Sequence, residues 1–200
     1  MLLAAALASA VAAGSARANG DPASDVLPFT TVFLSIQNPS TSPAGRDLLT
    51  VTKAAEKKKR PIRVAVISQP SDLGLIQSLW RKPQTYAEFL GKELFSFGRY
   101  KGTLVVAMPN GYGINGPDAA RGKRALARLP KPNTNDLEKL GEDAANATRA
   151  VAAANGYVLP ASSDSGSGTP AWVIILGALG GAAVVGGIVF FALRRWLTMP

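Results

Sequence analysis

Residues 103–118 read TLVVAMPNGYGINGPD, and the interpretation of the remaining sequence depends on this stretch. Its first part, Thr103–Met108, is the most apolar strand-like run of the domain, and such runs are typical of strands buried on both faces of a sheet. Residues 111–116 then match the pattern G-x-G-x-x-G. The sequence therefore predicts a central strand that leads into a glycine-rich segment.

The glycine-rich segment has two interpretations. In a dinucleotide-binding fold, such glycines let the backbone approach a pyrophosphate at a helix N-terminus. Here Pro117 follows the motif, the motif comes after the third predicted strand rather than the first, and no full strand then supplies an acidic residue for a ribose. We therefore predict a structural glycine-rich turn, in which Asn110-Gly111 is a hairpin-type signal.

Strands and helices alternate along the chain before this stretch. Residues 29–36 and 62–67 are rich in β-branched and aromatic residues, which predicts strands. Ser42-Pro43 combines an N-cap with a first-turn proline and predicts the start of a helix. An amphipathic helix is expected behind Pro83, because apolar side chains recur there at helical spacing. These side chains are Tyr86, Phe89, Leu90, Leu94 and Phe97.

A last helix is expected after the glycine-rich segment. Asn135 and Glu138 have the spacing of a capping box, and Gly156 is a typical residue just beyond a helix end. Residues 117–133 are basic and contain prolines, and they receive no assignment. The order of elements predicts the α/β class, with a small β-sheet sandwiched by helices.

Both ends of the chain carry membrane signals. Residues 1–18 form an apolar run ending in Ala16-Arg17-Ala18, the small-x-small pattern of signal-peptide cleavage; the alternative is a buried Ala-rich helix. Residues 171–193 carry no charge and, at about 1.5 Å per residue, could cross a hydrocarbon core of about 30 Å as a transmembrane helix. Basic residues follow this segment, so we expect residues 194–200 to form a cytoplasmic tail.

The domain organisation follows from these signals. Residues 19–160 are expected to form one extracytoplasmic domain, and residues 161–170 a Gly/Ser linker to the membrane. The protein is therefore expected in the cell membrane as a single-pass protein. Gly177 and Gly181 would let a second helix approach closely in a homodimer, whereas general Ala/Gly richness explains the same residues without a dimer.

Composition excludes several kinds of chemistry. The chain has no His and no Cys, which rules out a Ser-His-Asp triad, a Cys-His pair, a thiolate or imidazole metal site and a disulfide. The formal net charge is +9. A basic cluster follows the glycine-rich segment, where anionic lipid or acidic polymer is a more plausible partner than nucleic acid outside the membrane; the alternative is a solvated face. Its residues are Arg121, Lys123, Arg124, Arg128 and Lys131.

The strand that runs into Gly-Tyr-Gly-aliphatic-x-Gly and then Asp118-Ala119 resembles the TPM-domain proteins, which are membrane-associated α/β modules. Residues 69–74 together with Lys82-Pro83 resemble an actinobacterial branch of such exported, membrane-anchored proteins. The resemblance covers about residues 26–155 and implies a TPM-like sandwich. Family members are described as acid phosphatases, as binding divalent metal through acidic loop residues, or as assisting the assembly of membrane complexes.

The resemblance also implies a ligand-binding motif loop. The matching residues are Gly111, Tyr112, Gly113, Gly116 and Asp118. The family commonly has an acidic residue before the third glycine, and this chain has Asn115 there. Loss of a carboxylate weakens the binding of hard cations, which need several oxygen ligands with net negative charge.

Two functions remain open. The favoured one is a binding or assembly module at the cell envelope, without catalytic residues or a cofactor, whose partner is a membrane protein or an anionic polymer or lipid. The alternative is a metal-dependent, phosphoesterase-like hydrolase that uses Asp72 and Asp118 with a divalent cation. Asp72 also has a structural explanation, as a capping residue of a helix.

Overall fold

The computed structural model describes residues 20–35 and 38–162. Its elements in chain order are α1 (Pro22–Val26), β1 (Val32–Leu34), a 3₁₀ turn (Pro39–Thr41), α2 (Pro43–Lys57), β2 (Ile62–Val66), a 3₁₀ segment (Pro70–Leu79), α3 (Pro83–Gly98), β3 (Thr103–Met108), β4 (Gly111–Asn115), α4 (Ala119–Leu126) and α5 (Leu137–Ala154). The predicted signal peptide, the predicted linker beyond residue 162, the predicted transmembrane segment 171–193 with Gly177 and Gly181, and the predicted tail 194–200 lie outside these residues. No helix of the described part has the length and apolar character needed to cross a membrane.

A four-stranded sheet in the order β1-β2-β3-β4 forms the middle layer. Strands β1, β2 and β3 are parallel, whereas β4 runs antiparallel to β3. The strands β1, β2 and β3 all begin at one end of the sheet, which we call the amino edge, and all finish at the other end, which we call the carboxyl edge. Because β4 is antiparallel, it starts at the carboxyl edge and ends at the amino edge.

Helices cover both faces of the sheet. One core cluster joins α2 and α5 to side chains such as Val64 and Val105, and the other joins α3 to their neighbours Ala65 and Val106. Side chains alternate between the two faces along a strand, so these clusters lie on opposite faces. The predicted α/β sandwich is therefore confirmed for the described residues.

The two crossovers differ in hand. Both connections step in the same direction across the sheet, from β1 to β2 and from β2 to β3, yet α2 and α3 pack on opposite faces. Two such connections must have opposite handedness, so one of them is left-handed. About 98% of parallel crossovers are right-handed, and a right-handed pair would have placed both helices on one face.

Most predicted elements are confirmed, with shifted ends. Helix α2 begins behind Ser42, whose Oγ accepts a hydrogen bond from the backbone N–H of Gly45. Strand β1 is shorter than predicted, covering only Val32–Leu34. Phe97, predicted on the buried face of α3, is 58% exposed and belongs to neither core cluster.

The start of the last helix is a further correction. Asp136, rather than Asn135, is its N-cap and accepts a hydrogen bond from the backbone N–H of Lys139. The Glu138 carboxylate, predicted to complete a local capping box, instead accepts from the backbone N–H of Ala44 at 2.5 Å and so joins α5 to α2. In either arrangement the carboxylate accepts from a backbone N–H that has no partner inside its own helix. Here that N–H belongs to the start of α2 instead of the start of α5.

A buried ion pair fastens the end of the domain. The Arg149 guanidinium is 2% exposed and pairs with Asp47 of α2. It also donates to the carbonyl of Pro160 at 2.6 Å, just beyond the buried Leu159. This arginine therefore holds α2, α5 and the segment that follows α5 together.

We predict that Arg149→Ala lowers the free energy of unfolding by about 3 kcal/mol or more, because it leaves the Asp47 carboxylate without its partner in a poorly solvated place. The matched control is Lys139→Ala, because the ammonium group of Lys139 is exposed and its pairs with Glu142 and the partly buried Asp143 should contribute less than about 1 kcal/mol. Urea denaturation followed by circular dichroism measures both. Equal losses in the two variants would contradict the role given to Arg149.

Candidate functional site

The motif residues lie in a strand. Gly111–Asn115 form β4, which pairs with β3 from Met108↔Gly111 to Leu104↔Asn115. Pro109-Asn110 is the two-residue loop between them, so the hairpin signal at Asn110-Gly111 marks the reversal, but the predicted glycine-rich turn is wrong. The segment is one of the two outer strands of the sheet.

The glycines of this strand allow close backbone packing. A Cβ on Gly113 would lie 2.0 Å from the carbonyl oxygen of Pro83, because the first turn of α3 rests on the strand there. Gly116 has φ +105°, and a Cβ on it would lie 2.4 Å from the carbonyl oxygen of Gly102. Close backbone packing thus accounts for glycine at these positions, and a bound phosphate is not needed to explain them.

The outer edge of β4 is partly covered by a side chain. The Gln84 side chain of α3 donates to the carbonyl oxygen of Ile114 at 3.1 Å and accepts from the N–H of the same residue at 3.2 Å. This is the pairing that a neighbouring strand would make. Exposed strand edges invite pairing with other chains, and Gln84 satisfies one such position.

A cavity of about 370 Å³ opens beside the motif, between the start of α3, β4 and α4. Its polar lining residues are Gln84, Asn110, Tyr112, Lys123 and Lys131, with Gly111 on the wall. The Asn110 amide is held by a hydrogen bond to the carbonyl of Arg81 at 2.7 Å. Burial raises the pKa of the half-buried Tyr112 phenol above its ordinary value, so this hydroxyl is neutral near neutral pH, and it donates to the carbonyl of Pro130 at 3.4 Å. Lys123 and Lys131 supply positive charge.

Helix α4 extends the positive charge outside the cavity. Its buried side consists of Gly122 and Leu126, and Arg121, Arg124 and Arg128 are exposed. A spacing of three residues places Arg121 and Arg124 on one side of the helix, and Arg128 follows in the turn after α4. Among the described residues, Lys123 pairs with Glu88 at 3.9 Å, with both side chains about half exposed, and Glu88 also accepts from the Gln84 side chain at 2.7 Å. The surface is therefore largely uncompensated and can attract anions.

Asp118 lies away from this cavity, at the amino edge. Its carboxylate accepts from the Tyr157 hydroxyl at 2.9 Å and from Arg60 at 3.4 Å, and its carbonyl accepts from the Asn155 amide at 3.2 Å. These bonds join the start of α4 to the end of α5. Asp118 is buried and fully engaged, so its position indicates a structural contact.

Asp72 lies at the opposite, carboxyl edge. Its carboxylate accepts from the backbone N–H groups of Ser68 and Gln69 at 2.8 and 3.1 Å, and from the Ser35 hydroxyl at 2.7 Å. Asp118 contacts Arg60, and Asp72 contacts Ser68. The segment 60–68 between these two partners is about 26 Å long in strand conformation. The structure therefore does not bring these two carboxylates together.

Sequence reasoning missed Asp21, a fully buried carboxyl group near the carboxyl edge. Its Oδ1 accepts from the Tyr86 hydroxyl at 2.8 Å, and its Oδ2 has no hydrogen-bond partner among the described residues. Burial is the main reason that the pKa of Asp21 rises to about 6. The dipeptide Asp21-Pro22 could have revealed this residue, because it has the same N-cap and proline signature as Ser42-Pro43.

Within residues 20–35 and 38–162, no three acidic, His or Cys side chains are close enough together to hold a metal ion. Comparisons with protein-family models, with curated proteins and with solved structures find no match to this chain. The TPM resemblance therefore rests on the sequence motif and the order of elements alone.

We predict that Gly113→Ala destabilises the domain by about 2 kcal/mol or more, because the new methyl group collides with the backbone of Pro83. Gly98→Ala is the matched control, since its Cβ would meet nothing nearer than Pro28 at 3.7 Å. We expect that control to change stability by less than about 1 kcal/mol. Thermal and urea denaturation distinguish the two, and a neutral Gly113→Ala would contradict the packing explanation.

We predict that Asp21 makes the domain less stable as pH rises. The pKa of Asp21 in the folded state, about 6, exceeds the ordinary value of 3.8. The contribution of its protonated carboxyl group to the free energy of unfolding is therefore fully present below pH 3.8 and is lost as pH rises through 6. Relative to the native chain, Asp21→Asn should gain about 3 kcal/mol between pH 3.8 and pH 7.

Urea denaturation at a series of pH values measures this difference. Glu56→Gln is the control, because Glu56 is exposed and lies at the amino edge, away from Asp21. A parallel pH profile for Asp21→Asn and the native chain would refute the effect.

Proposed function

We propose that this chain is an exported, single-pass membrane protein whose TPM-like domain is a binding or assembly module at the cell envelope. The observation that carries the proposal is the cavity beside β4, which is lined by Gly111, Tyr112, Lys123 and Lys131. Exposed arginines lie next to it, on α4 and in the turn that follows α4. The ligand that this arrangement fits is an acidic one.

The shape of the positive surface favours an extended ligand. The cavity takes one anionic group between Lys123 and Lys131, and Arg121, Arg124 and Arg128 provide further charges on α4 and in the turn after it. A polymer with repeated anionic groups can engage both parts together, which multiplies weak contacts. We therefore favour an acidic envelope polymer over the acidic surface of a membrane protein.

The location in this proposal follows from the sequence. The cleavage-like end of residues 1–18, the linker 161–170 and the charge-free segment 171–193 would keep the domain outside and close to the membrane. A hydrolase that uses Asp72 and Asp118 gains no support, because those carboxylates lie at opposite edges of the sheet and each is already hydrogen-bonded.

Binding of the full chain in detergent to poly(glycerol phosphate) and to poly-L-glutamate tests the proposal. We expect both polymers to bind, with affinity falling as salt is raised because the contacts are ionic. The double variant Lys123→Gln/Lys131→Gln should bind about tenfold more weakly, which corresponds to about 1.4 kcal/mol.

The matched control is Lys53→Gln/Lys139→Gln, which removes the same charge from α2 and α5. Equal weakening in both double variants would show attraction to net charge without a site. Binding of neither polymer by the native chain would overturn the acidic-polymer assignment, and capture of a specific membrane protein by cross-linking would replace it.

A further inference from the structure

The amino edge of the sheet carries a second surface, separate from the cavity at the carboxyl edge. Strands β1, β2 and β3 are parallel, so the residues that precede them lie at the same end of the domain. The last turn of α3 ends there as well, because it leads into β3. This end brings together the segments 28–31, 57–61 and 95–101.

Exposed aromatic side chains are concentrated at this end. Phe29 is 90% exposed, Phe95 57% and Phe97 58%. The segments that carry them are adjacent, since a Cβ on Gly98 would lie 3.7 Å from Pro28. Phe95 and Phe97 lie on different sides of α3, because they are only two positions apart in the helix, so the three rings surround this end of the domain. Exposed aromatic side chains at one end favour contact with another molecule or a membrane.

Basic side chains surround these phenylalanines. Three of them stand at the end of α2, namely Lys57 in its last turn and Lys58 and Lys59 directly after it. Two more precede β3, Arg99 and Lys101, and all five are exposed. The segments are tied together, because the N–H of Thr103 and the Tyr100 hydroxyl both donate to the carbonyl of Pro61.

Carboxylates offset part of this charge, since Asp25 of α1 and Glu93 of α3 lie four residues before Phe29 and Phe97. Asp118 at the same edge is buried against Arg60 and Tyr157. Glu56 is exposed and lies next to the lysines. The end of the domain therefore remains positive.

A cavity of about 570 Å³ opens within this surface, between α3 and the amino-edge ends of β3 and β4. Lys92, Phe95, Tyr100, Lys101 and Asn115 are among its lining residues. Its lining thus combines two ammonium groups with aromatic rings and a side-chain amide. That combination suits an anionic group attached to an apolar body.

We propose that this amino-edge surface docks on an anionic lipid bilayer, with the phenylalanines entering the interface and the basic side chains contacting lipid phosphates. Basic residues gain from the negative potential of acidic lipids, and aromatic side chains favour the interfacial region. The chain also limits the distance, because residues 163–170 span at most about 30 Å before the predicted transmembrane segment. In this orientation the carboxyl-edge cavity faces away from the membrane.

A single-cysteine experiment tests the orientation, since the native chain has no cysteine. Ser96→Cys places a fluorophore among the phenylalanines, and Ser40→Cys places one in the 3₁₀ turn at the carboxyl edge; both serines are exposed. The labelled full chain is reconstituted into vesicles of phosphatidylcholine, or of phosphatidylcholine with phosphatidylglycerol. Lipids with a nitroxide on the headgroup quench fluorophores at the membrane surface.

We expect strong quenching at position 96 and weak quenching at position 40 in vesicles that contain phosphatidylglycerol. Quenching at position 96 should fall at least twofold in high salt, without phosphatidylglycerol, in Lys57→Gln/Lys58→Gln/Lys59→Gln, and in Phe29→Ser/Phe97→Ser. These exposed positions keep the core intact, and circular dichroism checks the fold. The control Lys53→Gln should leave the quenching unchanged.

Equal quenching at both positions, or the absence of quenching at position 96, would overturn the proposal. Energy transfer between labels at position 96 on separate copies, without quenching, would assign the surface to a second copy of the chain and also overturn it. Loss of polymer binding in Lys123→Gln/Lys131→Gln with unchanged quenching would separate this surface from the one proposed for the acidic polymer.

Discussion

Strand β3 is buried along its whole length and pairs with a neighbour on each side. A strand without a solvated face requires an apolar layer on each face of the sheet. Here α3 supplies one layer, and α2 and α5 supply the other. Each fully buried aliphatic side chain contributes about 1.5–3 kcal/mol. The rest of the domain is arranged around this requirement.

The same requirement explains the glycine motif. Covering β3 on the α3 face brings the first turn of α3 so close to β4 that Gly113 has no room for a Cβ beside Pro83. Gln84, in that turn, then reaches the backbone of Ile114 and satisfies one position of the open edge. A pattern that suggests a phosphate-binding loop in other folds is here a device for packing a helix against an edge strand.

The sheet also separates the two proposed activities. The carboxyl edge holds the cavity with Lys123 and Lys131, and the amino edge holds the exposed phenylalanines and the end of α2. Because strands β1 to β3 are parallel, loops that follow strands and loops that precede them lie at opposite ends. An acidic ligand and a lipid surface could therefore be engaged at once.

The sequence by itself determined the α/β class, helix starts such as Ser42-Pro43, and the central position of Thr103–Met108, because these follow from hydrophobic periodicity and local capping. It also determined which chemistry is excluded, through the absence of His and Cys. Only the tertiary structure decided that Gly111–Asn115 is a strand, that Glu138 caps α2, that one crossover is left-handed, and that Asp72 and Asp118 lie apart. Each of these depends on contacts between residues far apart in the chain, and local patterns carry no information about which distant partner will satisfy a hydrogen bond or fill a space.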